Sequence, residues 1–189
     1  MIFYHIDRCC RLLNQTKIEP SPFETEVLYG SVFNNLSVHG NLYFRDMNNL
    51  NISRDIELAL EYIRVCKYPS MPSRFQSVFA SRTIEESAFW IKFFANNVPF
   101  GLITIDTDNY QIFDCSWITP QQGMNPDIQT RCKPFSLGGM CDIANAYWSK
   151  KVSNKPIMEV LIPLPCKIVK TEYFHNQDEF NAIYSLYFF

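Results

Sequence analysis

Two rhythms of apolar residues alternate along the chain. Near the C-terminus, Pro156-Ile157-Met158-Glu159-Val160-Leu161-Ile162-Pro163 places an apolar run between two prolines. Ile157, Val160 and Ile162 are β-branched, which predicts a short buried strand with proline stops. Ile2-Phe3-Tyr4-His5-Ile6 predicts an opening strand, residues 73–81 a middle strand, and 167–173 an alternating late strand. Residues 102–106 and 111–114 flank the turn signal Thr107-Asp108-Asn109 and predict a hairpin. Lys17 to Pro22 reads as a short extended piece ending in a turn.

Helical spacing appears between these segments. Ile56, Ala59, Leu60 and Ile63 follow the i, i+3, i+4, i+7 pattern, with Ser53 as the expected N-cap and Pro69 and Pro72 beyond the end. Asp55 and Glu57 fall in its first turn, near the positive end of the helix dipole. Thr83 and Glu86 form a capping box, predicting a helix over about 84–95 that buries Ala88, Ile91 and Phe94 or Ala95. A short helix is expected at 142–148. A terminal helix is expected from Asn176 to about Leu186, with Phe180, Ile183 and Tyr184 on one face. Residues 23–52 read as loop with one short helix or strand, and 116–136 as a long surface loop. No repeat or linker interrupts the pattern, so one α+β domain over 1–189 is expected.

Composition narrows the class. The chain is 47% apolar and 19% charged, which fits a packed domain rather than a disordered one. A net charge of -2 gives no basic excess for a nucleic-acid backbone, although a local patch remains compatible with it. No run of eighteen apolar residues or apolar leader is present, so neither a membrane span nor a signal peptide is expected. Seven cysteines without a C-x-x-C spacing read as free thiols in a reducing, cytoplasmic setting, or in a protein delivered into a target cell. No metal site and no glycine-rich nucleotide loop is encoded.

Glu159 is the one charge inside the Pro156–Pro163 strand. Two readings are open: a strand carboxylate alternating out to water, or a carboxylate held on a rigid strand and aimed into a cleft. Read with Phe3-Tyr4-His5 and with Val78-Phe79-Ala80-Ser81-Arg82-Thr83, the chain resembles the ADP-ribosyltransferase superfamily, in particular the small bacterial enzymes of the rifampin-modifying type. The resemblance covers roughly residues 3–20, 73–95 and 145–174.

The resemblance implies split mixed β-sheets with flanking helices and a cleft for NAD between the sheets. It implies transfer of ADP-ribose from NAD to an acceptor, with release of nicotinamide, as in a bacterial toxin, effector or phage-conflict protein. Glu159 would stabilise the oxocarbenium-like ribose. His5 would orient the adenosine-side ribose, and Phe79 would stack on nicotinamide. Ile6 would offer backbone contact to the nicotinamide amide. Arg8 and Arg74 would reach the diphosphate, with Ser73, Gln76 and Ser77 around Arg74; Ser81 is a further NAD-binding candidate, and Tyr147 would wall the acceptor pocket. His39 and His175 are read as surface residues.

Ile6 stands where a small residue is usual, and Phe79 where tyrosine is usual. They motivate the alternative of an NAD- or protein-binding module on the same fold without turnover. The arginine-modifying members carry a second glutamate where this chain has Ile157, so the acceptor stays open between a protein side chain, a nucleobase and a small molecule. A cysteine hydrolase built on Cys141 or Cys132 with His175 has only its residue types in its favour.

Overall fold

The computed structural model describes residues 1–22, 35–40, 52–95, 97–118 and 137–186. Nine strands and five helices are described: β1 Ile2–Asp7, β2 Lys17–Ile18, β3 Ser21–Pro22, β4 Asn35–Leu36, the single-turn α1 Val38–Gly40, α2 Ile52–Lys67, β5 Ser77–Ala80, α3 Ile84–Phe94, β6 Phe100–Asp106, β7 Gln111–Asp114, α4 Leu137–Trp148, β8 Met158–Pro163, β9 Cys166–Phe174 and α5 Gln177–Ile183. Among the described residues no helix is long and apolar enough to cross a membrane.

All pairing among the described residues is antiparallel, where the resemblance implied mixed sheets. One sheet runs β1-β6-β9-β2, a second runs β5-β8-β7, and β3 pairs with β4. The α+β class expected from the sequence is therefore present, with two antiparallel sheets. Among the described residues their backbones are joined at one residue pair, where Tyr4 N–H donates to Ser81 O at 3.0 Å and Ser81 N–H to Tyr4 O at 2.8 Å.

Strand alternation sorts the apolar residues into three layers of core. Phe3, Ile103, Ile105 and Ile168 of the first sheet pack against Val78, Ala80, Val160 and Ile162 of the second. On the far side of the first sheet, Phe100, Leu102 and Phe174 pack against Ala88, Ile91 and Phe180 of α3 and α5. On the far side of the second, Phe113 and Leu161 pack against Ile56, Leu60 and Ile63 of α2 and Ile143, Ala144, Tyr147 and Trp148 of α4. The Trp148 indole donates to Leu60 O at 2.7 Å, tying α4 to α2. The result is helix, sheet, sheet, helix. The space between the sheets, where a cleft was expected, is filled by apolar side chains.

Several local expectations are met. Thr83 caps α3, its hydroxyl accepting from Glu86 N–H, and Ala88 and Ile91 are buried. Asn176 caps α5.

Other expectations are corrected. Segments 102–106 and 111–114 do not form a hairpin: β6 pairs with β1 and β9, while β7 pairs with β8, so the turn at 107–109 carries the chain from one sheet to the other. Residues 73–81 are a single-turn 3₁₀ helix, Arg74–Gln76, followed by β5, rather than one strand. Helix α2 begins at Ile52, so Ser53 lies inside it. Ile183 is exposed at the end of α5. Most of 23–52 and 119–136 lies outside the described residues.

Candidate functional site

The register of the second sheet sets the site. Phe79 of β5 stands opposite Leu161 of β8, and Phe113 of β7 stands opposite Glu159. Phe79, Glu159, Leu161 and Phe113 therefore share the face that looks toward α2 and α4. Glu159 does not alternate out to water: it is 6% exposed.

Its partners come from three elements. Tyr147 of α4 donates its hydroxyl to Glu159 Oε1 at 2.6 Å, and its ring stacks on Phe113 at 4.7 Å. Arg74 Nη1 pairs with the same Oε1 and also donates to the Tyr147 hydroxyl at 2.7 Å. The other edge of the Arg74 guanidinium grips Glu57 of α2 through Nε and Nη2, each at 2.8 Å. The guanidinium carbon sits 4.6 Å from the Phe79 ring centre and 5.2 Å from that of Tyr147. The imidazole of His39 lies against the Phe79 ring at 4.5 Å, with Nε2 3.3 Å from Glu57 Oε1.

The turn that aims Arg74 inward is built locally. Ser73 caps it, its hydroxyl accepting from Phe75 N–H at 3.2 Å and donating to Glu61 Oε2 at 3.0 Å. Ser77 donates its hydroxyl to Ser73 O at 2.7 Å. His39 is placed by α1, where Ser37 N–H bonds Phe75 O at 2.7 Å. A Cβ on Gly40 would come within 2.2 Å of the same carbonyl oxygen, so only glycine permits that approach.

Charges in this cluster are set by competition. Burial would raise the Glu57 carboxyl, but Arg74 and then His39 outweigh it and hold the group well below the usual carboxylate range. Burial would lower Arg74, yet Glu159 and Glu57 hold it well above its ordinary value. Burial pushes the Tyr147 phenol well up, so it remains a proton donor at neutral pH. The chemistry available is that of a carboxylate fixed through one oxygen, beside an aromatic face, in a largely water-free setting.

His5 joins this group through the backbone. Its Nδ1 meets Phe79 O at 2.7 Å, at the edge where β1 meets β5. Burial lowers its basicity, with partial opposition from that hydrogen bond. The structure thus links the predicted His5, Phe79, Arg74, Tyr147 and Glu159 in one chain of contacts, with Ser73 and Ser77 as builders of the Arg74 turn.

The remaining predicted residues sit differently. Ser81 is buried and contributes the Tyr4 bridge. The Ile6 side chain packs toward α3 and α5, away from the Phe79 face. Arg8 is exposed just past β1. Arg74 spends four of its five N–H donors on Glu57, Glu159 and Tyr147, leaving one for a phosphate. Cys141 lies on α4, whereas His175 lies by α5 in the opposite outer layer, bound to Glu179 at 2.9 Å. Cys132 lies outside the described residues.

Sequence reasoning missed Glu57 and His39. A signal for Glu57 was present: Glu57, Glu61 and Arg64 run beside Ile56, Leu60 and Ile63 at the same helical spacing, putting carboxylates at the margin of the buried stripe.

The family described as Protein of unknown function (DUF2441) matches residues 3–176, from within β1 to the cap of α5. The chain belongs to that family. The DUF2441 match includes every residue of the cluster. No curated protein matches the chain.

Proposed function

We propose that the chain is an NAD-dependent mono-ADP-ribosyltransferase with an ADP-ribosyltransferase-like split-sheet fold. The observation that carries the reading is that His5, Phe79 and Glu159, distant in sequence, are linked: His5 meets the Phe79 carbonyl, and Arg74 lies over the Phe79 ring and pairs with Glu159. Apolar side chains fill the space between the sheets, and α2 and α4 cover the helix-facing side of the β5–β8–β7 sheet, so the reading stands on the linked residues and not on an open cleft.

In the reaction the bond from ribose C1′ to the nicotinamide nitrogen breaks and nicotinamide leaves as a neutral base. The acceptor's nucleophile bonds to C1′ and gives up its proton. Positive charge gathers on the ribose in between. Both described hydrogen bonds to Glu159 fall on Oε1, so Oε2 is the oxygen offered to a ribose hydroxyl. Phe79 would supply an aromatic face for nicotinamide once Arg74 or His39, which lie against its ring, gives way.

The test is Glu159→Gln, an isosteric change that removes the charge. Nicotinamide release from labelled NAD should fall by about 100-fold or more while the fold persists; unchanged release would end the assignment. Fractionating labelled product into protein, nucleic acid and small molecules identifies the acceptor class. A second reading, a binding module without turnover, is favoured by the pairing of Glu159 with Arg74. NAD binding by calorimetry with no nicotinamide release would select it.

A further inference from the structure

We propose that Arg74 is a positioning residue for Glu159, anchored by Glu57, rather than a ligand of the dinucleotide. This rests on the reading of Glu159 given above. A guanidinium is a planar fork with donors on separate edges. Here one edge is closed by the Glu57 carboxylate at 2.8 Å through two bonds, and Nη1 reaches Glu159 Oε1 and the Tyr147 hydroxyl. The Phe79 ring covers one approach to the guanidinium at 4.6 Å. Arg74 as a whole is 5% exposed.

Two donors converging on Oε1 fix the rotation of the carboxylate and turn Oε2 away from both. Glu57, on α2, keeps the guanidinium from following Glu159 if the latter moves. Lysine cannot reproduce this, because an ammonium is a point charge without two edges. The consequence is specific. Arg74 acts on the step in which ribose becomes cationic, with little effect on how tightly the dinucleotide binds.

The experiment is Arg74→Ala in the full chain, with kcat and KM for nicotinamide release measured separately. Loss of positioning lowers kcat roughly 10- to 100-fold, while KM stays within about twofold. Low-millimolar guanidinium chloride, but not sodium chloride, recovers part of kcat by refilling the slot between Glu57 and Glu159. A raised KM with kcat retained would make Arg74 a dinucleotide ligand and overturn the proposal. So would a folded variant whose kcat loss guanidinium leaves untouched.

If the alanine variant does not fold, Arg74→Lys is measured for the same split, and a loss carried by KM is again the overturning result. Should the wild-type chain release no nicotinamide, the enzymatic reading fails, and the slot is tested by melting alone. Low-millimolar guanidinium raises the midpoint of Arg74→Ala but not of wild type, and absence of that rise overturns the assignment of Arg74.

Discussion

Asp114 is the last residue of β7 and is buried to 1% exposure. Its Oδ1 accepts the N–H groups of Ser116 and Ile157, each at 3.0 Å, and its Oδ2 accepts that of Ser153 at 2.8 Å. One side chain thus fastens the turn after β7 and the segment that feeds β8, the strand carrying Glu159. Asp114→Asn keeps the shape but only one acceptor oxygen. If the amide keeps its oxygen on Ser116 and Ile157, its NH₂ confronts the Ser153 N–H. One bond to a charged acceptor is lost, worth about 1.5 to 3 kcal/mol, and two others weaken to the neutral range. The sum is about 3.5 to 6 kcal/mol, a large share of the ~5 to 15 kcal/mol expected for a domain. With a urea slope of about 2 kcal/mol per molar, the midpoint should drop by roughly 2 to 3 M. Urea titration followed by tryptophan fluorescence measures it, and hydrogen exchange should accelerate first at Ser153. A loss under about 1 kcal/mol at unchanged slope would refute the accounting.

Other perturbations give separate outcomes. Gly40→Ala forces a methyl onto the Phe75 carbonyl oxygen and should cost about 1 to 3 kcal/mol in chemical denaturation. Gly138→Ala, in α4 with nothing within 4 Å of the added Cβ, should be neutral or stabilising by up to about 1 kcal/mol, and a loss at Gly138 would contradict the helical assignment there. Stability should fall on acidification in two stages. His5 is depressed below its ordinary 6.5, so its contribution is complete above that pH and fades as pH drops through the folded-state value. Glu57 is depressed below its ordinary 4.5, so its contribution is complete above 4.5 and is lost at more acid pH. Denaturant midpoints across pH 3 to 8 should lose the upper stage in His5→Asn and the lower stage in Glu57→Gln. An upper stage that persists in His5→Asn would assign that titration to another group.

The sequence was most readable where structure is decided locally. Thr83 and Glu86 announce α3 because the cap bonds span three residues. The Pro156–Pro163 run announces β8 because its stops are built in. The hairpin expectation failed for the opposite reason: Thr107-Asp108-Asn109 marks a reversal, but the partner of β7 lies at Met158–Leu161, more than forty residues downstream. Periodicity carries no information about which strand lies alongside. Glu159 stood out as a lone charge in an apolar run, while its counter-charge was invisible. Arg74 sits in a polar stretch with Ser73 and Gln76, and only the tertiary fold turns it inward onto two carboxylates. His39 was unreadable because its position depends on Gly40 meeting a backbone carbonyl beyond thirty residues of intervening chain.

The reciprocal stitch between Tyr4 and Ser81 has a dynamic consequence. Because it is a single ladder rung, the backbone there can part locally with the loss of two amide bonds, while the apolar layer between the sheets and the ladders of each sheet stay in place. Such a parting would also pull the imidazole of His5 off the Phe79 carbonyl. The amide protons of Tyr4 and Ser81 should therefore exchange with deuterium at matched rates, faster than that of Ile103 within the four-stranded ladder. They form a built-in reporter of how often the seam opens.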